Sequence, residues 1–481
     1  RMDRHWWNQL ICILCLGLGT LCLMTGYDTQ SMIVESVLHS VHMRSPDSIA
    51  KHAGYYGQGV LYAAYTLSTL FAPWICYRIG SKWSLFAGSV LFSMYQAGFF
   101  MLNSYYYYLS QALMGIGFAL YYSGQGLYMS EHSTRNTITR NSSLVSSIGN
   151  SSMLVGGVVL FIIFYVGAQN KTIYEDTVGT GGLNYRDFSN SEIYVIYGVL
   201  LGFTLVSNII FALMPTKRET TDSELEAVEK STLRTQLSQL MDTAREPRML
   251  LLTCFFLFYG FHVSYWLGAY PTTFAFTKML STNIYLPAYY CTMIGVGNII
   301  VGCYINVFDK RFSDFGLIPM LFSQLLLSAI MYILTVLSTS NLSTIETNDD
   351  TSMMIIPTTT ICCVIGVLHG MIDCFSCSMR AVICTIALPR KRLQAYSLSK
   401  LYQSAASCAA YFFSPYLTIF LWMVLLAGTQ CLSAIGFVIV SRQISSENIL
   451  KCTDVDLKPA KVQPVDKSCP WNCKEKEGGW S

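Results

Sequence analysis

The chain has 481 residues, 52% of them hydrophobic and only 12% charged, with a mean hydropathy of +0.41 and a formal net charge of +3. Such a balance excludes a soluble globule and describes a polytopic membrane protein. The small excess of Lys and Arg forms no basic stripe with interleaved aromatics, which argues against a nucleic-acid partner.

The basic start at residues 1–5 and the apolar run 6–24 imitate a signal peptide. No small-x-small cleavage site follows and another membrane segment comes soon, so the run reads as helix 1. The Arg before Met2 hints at a native start further upstream. The segment 28–53, with Glu35, Arg44, Pro46 and Asp47, reads as a polar loop. The stretch 54–140 then holds three apolar spans, at 54–78, 83–102 and 105–129, each near the ~20 residues that cross a bilayer's hydrocarbon core. Helix 5 is expected at 143–168 and helix 6 at 192–214, with a polar loop between them carrying Gly179, Gly181 and Gly182. The most charged segment, 215–248, contains Ser223-Glu224-Leu225-Glu226, a capping-box pattern that predicts a surface helix. Six further spans follow at 249–276, 285–308, 316–338, 353–388, 395–415 and 418–440. The reading is therefore an all-α protein of about twelve crossings. It comprises a six-helix bundle over 1–214, a cytosolic charged linker over 215–248, a second six-helix bundle over 249–441 and a cytosolic polar tail over 442–481.

Basic residues set the expected orientation. With the N-terminus in the cytosol, Arg78, Lys82, Arg135, Arg140, Lys217, Arg218, Lys310, Arg311, Arg390, Lys391, Arg392 and Arg442 all fall on the cytosolic side, as the positive-inside rule asks. Both termini are then cytosolic, in the plasma membrane or an endomembrane. The same orientation sends the sequons at Asn341 and Asn170 outward, where they can be glycosylated, whereas those at Asn141 and Asn150 read as chance matches. Most of the 17 cysteines lie within apolar spans and read as packing residues; the Cys374-x-x-Cys377 pair lacks a partner at metal-ligand spacing, so no metal is expected.

The turn after helix 2 carries Arg78, Gly80 and Lys82, and the turn after helix 8 carries Asn306, Asp309, Lys310 and Arg311. Both resemble the short basic loop between helices 2 and 3 of major facilitator superfamily transporters, where Gly permits a tight turn and the cations meet helix C-terminal ends and acids of the other domain. Over a longer stretch, Gly54-Tyr55, Pro73, Gly80-x-Lys82-Trp83-Ser84, Gly115-x-Gly117, Gly124-Gln125-Gly126-x-Tyr128, Arg140-Asn141-Ser142, Gly366-x-x-x-Gly370-x-x-Asp373 and Lys400-x-x-Gln403-Ser404 follow in one order. That order is similar to the uncoordinated-ninety-three family, the ion-channel regulatory branch of the superfamily. The resemblance implies a major-facilitator-like fold of two bundles related by a pseudo-twofold. It also implies a role near potassium channels or in receptor trafficking, without chemical turnover or a cofactor.

Polar groups inside a membrane are costly, so they are the candidate functional residues. Tyr396, Lys400, Gln403 and Ser407 recur at helical spacing on helix 11. Asp373 reads as the one acid well inside an apolar span and as the counter-ion of Lys400, with His369 four residues before it and Arg380 seven after. These residues suggest an ion or proton pathway between helices 10 and 11; a structural salt bridge, or Lys400 and Arg380 snorkelling to the cytosolic surface, is the alternative. Gln125 and Tyr122 on helix 4 and His262 on helix 7 are weaker members of the same set, each also readable as packing. No phosphate-binding loop, His-Glu-x-x-His or nucleophile triad is present, so an enzyme is not expected.

Two functions fit. One is a regulator or trafficking partner of another membrane protein, which the scarcity of central carboxylates and the absence of an acid in the first basic turn favour. The other is a secondary transporter of a small ion or solute, with Asp373 as coupling residue and alternating access of the two halves.

Overall fold

A computed structural model describes residues 2–133, 137–172, 188–216, 232–311, 317–348 and 352–456. The capping pattern at Ser223, the glycines of 179–182, Arg135 and the tail beyond 456 lie outside the described residues, as do the side chains of Asn170, Asn306, Asp309, Lys310, Arg311 and Arg390.

The chain is almost entirely helical. In order come α1 (Met2–Arg44), α2 (Ala53–Thr69), α3 (Ala72–Ile79), α4 (Ser81–Ala97), α5 (Ser104–Glu131), α6 (Ile138–Asn150), α7 (Ser152–Thr172) and α8 (Asn190–Leu213). After the connector helix α9 (Leu233–Ala244) come α10 (Pro247–Ser264), a π turn (Tyr265–Ala269), α11 (Tyr270–Phe276) and the short α12 (Lys278–Ser281). The remainder is α13 (Leu286–Arg311), α14 (Leu317–Ser338), α15 (Thr359–Ala387), α16 (Arg392–Phe413) and α17 (Ile419–Asp456).

Among the described residues eight helical spans are long and apolar enough to cross a membrane, and α2 with α3 makes a ninth, bent by 66°. The bend falls where Pro73 removes a backbone donor just after Leu70 and Phe71. Helices α4, α5 and α16 fall outside that test but pack among the nine, α4 and α5 against each other and α16 against α2 and α10.

One expected boundary is overturned. Residues 28–44 are not loop but the second half of α1, which runs unbroken for 43 residues. Neither Gly nor Pro interrupts 28–45, and Met32, Ile33, Val37 and Val41 keep a helical apolar face that is buried. The tenth expected span is also shorter at its start: 353–358 is non-helical, and α15 begins after Thr358, whose hydroxyl accepts from the amide of Ile361 at 3.4 Å. Ser189 and Glu192 form a full capping box at the start of α8.

Surface and interior are inverted relative to a soluble protein. On α14 Phe322, Leu326, Ile330 and Ile333 are exposed while Gln324, Ser328 and Thr335 are buried. On α8 Val195, Leu205 and Ile209 face out while Thr204 and Ser207 are buried. Lipid solvates the apolar stripe, and the buried polar groups bridge helices: Gln324 donates to Ser376 at 2.6 Å, Gln430 to Ser328 at 2.8 Å, and Thr204 to Gln96 at 2.8 Å.

Helix pairing repeats between the two halves. In the first half α1 packs on α8, α2 on α5, and α4 on both α5 and α8; in the second α10 packs on α17, α13 on α15, and α14 on both α15 and α17. The halves meet through α2 with α16 and, symmetrically, α7 with α13. Two bundles related by a pseudo-twofold result.

One end of the bundles carries Arg78, Lys82, Lys391 and Arg392, and there Gln9 donates to the carbonyl of His132 and Lys391 meets Glu246 at 2.7 Å. The opposite end carries Asn341, whose side chain accepts from the amide of Phe420 at 3.0 Å, and Arg44, which donates to Asn190 at 3.0 Å. These are called below the basic end and the Asn341 end.

Candidate functional site

The two halves touch along a seam that is tightest at the Asn341 end. Outermost, the Tyr55 hydroxyl donates to the carbonyl of Thr344 at 2.8 Å. Next inward, Tyr62 stacks on Tyr411 with ring centroids 5.5 Å apart, and Thr66 donates to Ser404 at 2.9 Å. Across the other face, Cys291 lies against the carbonyl of Met153 at 3.2 Å. The innermost of these contacts is Lys400, whose ammonium sits over the ring of Tyr122 at 4.2 Å. Beyond it, toward the basic end, Tyr396 is 42% exposed and a side chain added at Gly126 would meet nothing.

Below and around the seam lies the charged centre. Asp373, on α15, lies within electrostatic reach of Arg380, Tyr259, Trp266 and Lys400. Arg380 is buried, with its guanidinium 4.8 Å from the ring centre of Tyr259 and 5.7 Å from that of Tyr396, and it donates to Gln403. A planar guanidinium held between aromatic faces is fixed in orientation as well as stabilised in charge. Lys400 is not joined to Asp373 by a direct ion pair among the described residues; Tyr122 holds it instead.

A second carboxylate faces the first from the other half. Asp28, on α1, accepts from the Ser152 hydroxyl at 3.1 Å, and its charge reaches Asp373. Asp373 is therefore not the one acid within a span. Glu35, one α1 face further out, is buried and accepts from the Tyr55 amide at 3.0 Å, and Glu131 at the end of α5 accepts from Ser81 at 2.5 Å. The unbroken, breaker-free run through 28–44 was the signal that places Asp28 inside a helix.

Around these charges the first half supplies an aromatic wall. Tyr122 stacks on Phe118 at 5.9 Å, Tyr65 lies 6.1 Å from Tyr122, and the Tyr27 hydroxyl sits 3.4 Å from that of Tyr62. Two acids and two bases, Asp28, Asp373, Arg380 and Lys400, leave the centre formally neutral when all four are charged.

The other expected residues are placed as follows. Gln125 reaches Thr20 at 3.5 Å, on the α1 side of α5. His369 and His262 are fully buried and meet each other, Nδ1 of one 3.3 Å from Nε2 of the other. Ser407, two turns beyond Lys400 on α16, donates to the carbonyl of Gly260 at 2.9 Å. Gly80 adopts φ 89° and ψ 154°, a conformation nearly reserved for glycine, and turns the chain between α3 and α4. Arg78 and Lys82 stand over the neighbouring rings of Trp74 and Trp83 at 5.5 and 5.6 Å, and Arg140 is exposed at the start of α6. Asn341 is exposed, with its side-chain oxygen engaged at the start of α17.

An interior of paired helical bundles with a charged centre on their shared seam defines a multi-pass membrane protein of major-facilitator fold. Solved structures agree with that fold. A chain from a study of substrate recognition in proton-dependent oligopeptide transporters aligns with TM-score 0.59 at 11% identity, covering 91% of this chain and 98% of its own. A D-xylose-proton symporter aligns with TM-score 0.58 at 14% identity, covering 89% and 96%. The family described as "Ion channel regulatory protein UNC-93" matches residues 45–438, and the chain belongs to that family. Among curated relatives, the UNC93-like protein MFSD11 of Xenopus laevis is 22% identical over 460 residues, spanning 92% of this chain and 98% of that protein. The protein of the same name from Xenopus tropicalis is 22% identical over 438 residues, 87% and 93% of the two chains.

Proposed function

We propose that the protein works by alternating access of its charged centre, moving a small ion or polar solute across the membrane. The observation that carries this reading is the pair of carboxylates, Asp28 and Asp373, that the two halves bring within electrostatic reach of each other, Asp373 being also within reach of Arg380 and Lys400. Rocking of one half against the other changes how near Asp28, on α1, comes to Asp373 and the two cations of the second half, which is the kind of coupling an alternating-access cycle needs. The sequence argument for a partner-only role rested on scarce central carboxylates, and Asp28 removes much of its weight. With the basic end taken as cytosolic under the positive-inside rule, the inter-half contacts of Tyr55 with Thr344 and Tyr62 with Tyr411 lie on the outer side of the charged centre.

The second reading is a regulator or trafficking partner of another membrane protein, such as a potassium channel or receptor. The family description supports it. The two are separated by reconstitution. Proteoliposomes loaded with a pH dye and given an imposed potassium or proton gradient are expected to show flux that Asp373→Asn and Asp28→Asn each abolish. Absence of flux for a panel of ions, amino acids, peptides and sugars, together with capture of a channel or receptor in fixed ratio, would overturn the transport reading.

A further inference from the structure

Deep inside the second bundle, His262 of α10 and His369 of α15 form a pair shut off from any aqueous surface, each fully buried, with ring centroids 5.4 Å apart. One hydrogen bond joins Nδ1 of His369 to Nε2 of His262. The two outer nitrogens, Nδ1 of His262 and Nε2 of His369, have no hydrogen-bond partner among the described residues. A neutral imidazole has one N–H and one lone pair. Whichever ring donates the shared bond, the neutral pair is left with one unused N–H and one bare nitrogen able to accept a proton. Keeping both in a fully buried place works against stability, and such exceptions call for a functional reason.

Aromatic rings enclose the pair. The rings of Tyr265 and Tyr270 lie 5.5 and 5.7 Å from that of His369, Tyr290 lies at 6.4 Å, and Phe258 lies 5.9 Å from His262. Aromatic faces stabilise an imidazolium through their quadrupoles without contributing a formal charge. The π turn Tyr265–Ala269, which begins three residues after His262, supplies one of those rings, and π turns concentrate at functional sites. The nearest carboxylate along α15 is Asp373, one helical turn past His369, and the residues that reach Asp373 from the other helix, Tyr259 and Trp266, bracket His262 in the chain. A metal ion fits less well. No group of three or more His, Cys, Asp or Glu suited to a metal occurs among the described residues, whereas protein zinc sites take three or four such ligands.

We propose that His262 and His369 together form a single proton-binding site, holding one proton as an imidazole–imidazolium pair and exchanging it with Asp373. The proton enters on the bare nitrogen and takes the pair from neutral to one positive charge. Its transfer to Asp373 returns the pair to neutrality and leaves a neutral carboxyl. The site rests on this geometry and requires no transported solute, so failure of the flux experiment leaves it standing.

Solid-state NMR of the full chain in nanodiscs, labelled with 15N-histidine, tests it. The chain has seven histidines, and coupling across the N–H···N bond assigns this pair in the wild type without recourse to variants. The expected result is two hydrogen-bonded neutral rings at high pH, one of which alone becomes imidazolium as the pH falls. The midpoint should move in Asp373→Asn, and His262→Asn and His369→Asn should each remove the coupled signal. Two rings that stay neutral wherever the protein remains folded, or that titrate as independent single groups, would overturn the proposal.

Discussion

Alanine at Gly370 is expected to destabilise the protein by forcing α13 and α15 apart. A Cβ built there collides with the carbonyl oxygen of Ile294 and stands 2.9 and 3.0 Å from that residue's carbonyl carbon and Cα. All three are backbone atoms, so no rotamer change can relieve the contact. Ordinary carbon contacts are about 3.5–4.0 Å, so the seam must open by roughly 0.5–1 Å, and atoms along it lose about a quarter to a half of their contact energy. Overpacking of this kind costs about 1–3 kcal/mol. Gly297 on the facing helix is in the same position, since its Cβ would stand 2.9 Å from the amide nitrogen of Met371 and 3.1 Å from the Cα of Gly370 itself. Once one alanine has parted the helices the second meets less resistance, so the double variant should lose less than the sum of the singles. Thermal unfolding of detergent-purified protein, followed by intrinsic fluorescence, measures the effect. Gly202→Ala and Gly428→Ala are the controls, because a Cβ at either meets nothing within 4 Å. Gly370→Ala should melt several degrees below both controls. If it melts with them, the close approach of α13 and α15 is not what this glycine serves.

Other expectations follow from single contacts. Arg380→Gln should destabilise the protein by removing a cation within electrostatic reach of Asp373, and Asp373→Asn in the same chain should restore part of that, with a coupling of about 0.5–3 kcal/mol; a double-mutant cycle on thermal stability with no coupling would rule out the linkage. Gly80→Ala must take φ 89° with a Cβ, so a loss of about 1–2 kcal/mol is expected in the same assay, with no loss if the turn simply relaxes. Tyr55→Phe removes the donor to the buried carbonyl of Thr344, which should weaken the outer seam by about 1–2 kcal/mol and speed hydrogen exchange across 339–348, the segment between α14 and α15. Lys391→Ala, by contrast, breaks a half-exposed ion pair with Glu246 and should change stability by less than about 1 kcal/mol, the less so at high salt.

Most of the helical plan was legible in the sequence because each apolar span is bounded by Gly, Pro or a basic turn, as at Pro73 and Gly80. Segment 28–44 misled because its charges were read as a loop; in a bundle this size a helix can bury Glu35 against a backbone amide and Asp28 against a serine. The candidate residues were chosen as intramembrane polar side chains, and their partners were not deducible. Asp373 and Lys400 carry opposite charges on consecutive helices, yet an aromatic ring takes Lys400, and the carboxylate that faces Asp373 comes from the first helix. The pairing of His262 with His369 depends on how α10 and α15 are rotated about their axes, and helical periodicity within one element cannot supply that angle.

Helix α1 has a mechanical consequence. At ~1.5 Å per residue its 43 residues reach about 65 Å, roughly twice the hydrocarbon thickness, so this one rod links the termini of both leaflets. Pivoting by roughly 10° about its middle would sweep each tip through about 5–6 Å. Gln9 rides at one tip and Arg44 at the other, so a displacement imposed on either surface by a lipid or an attached protein would be felt as an opposite stroke on the far side.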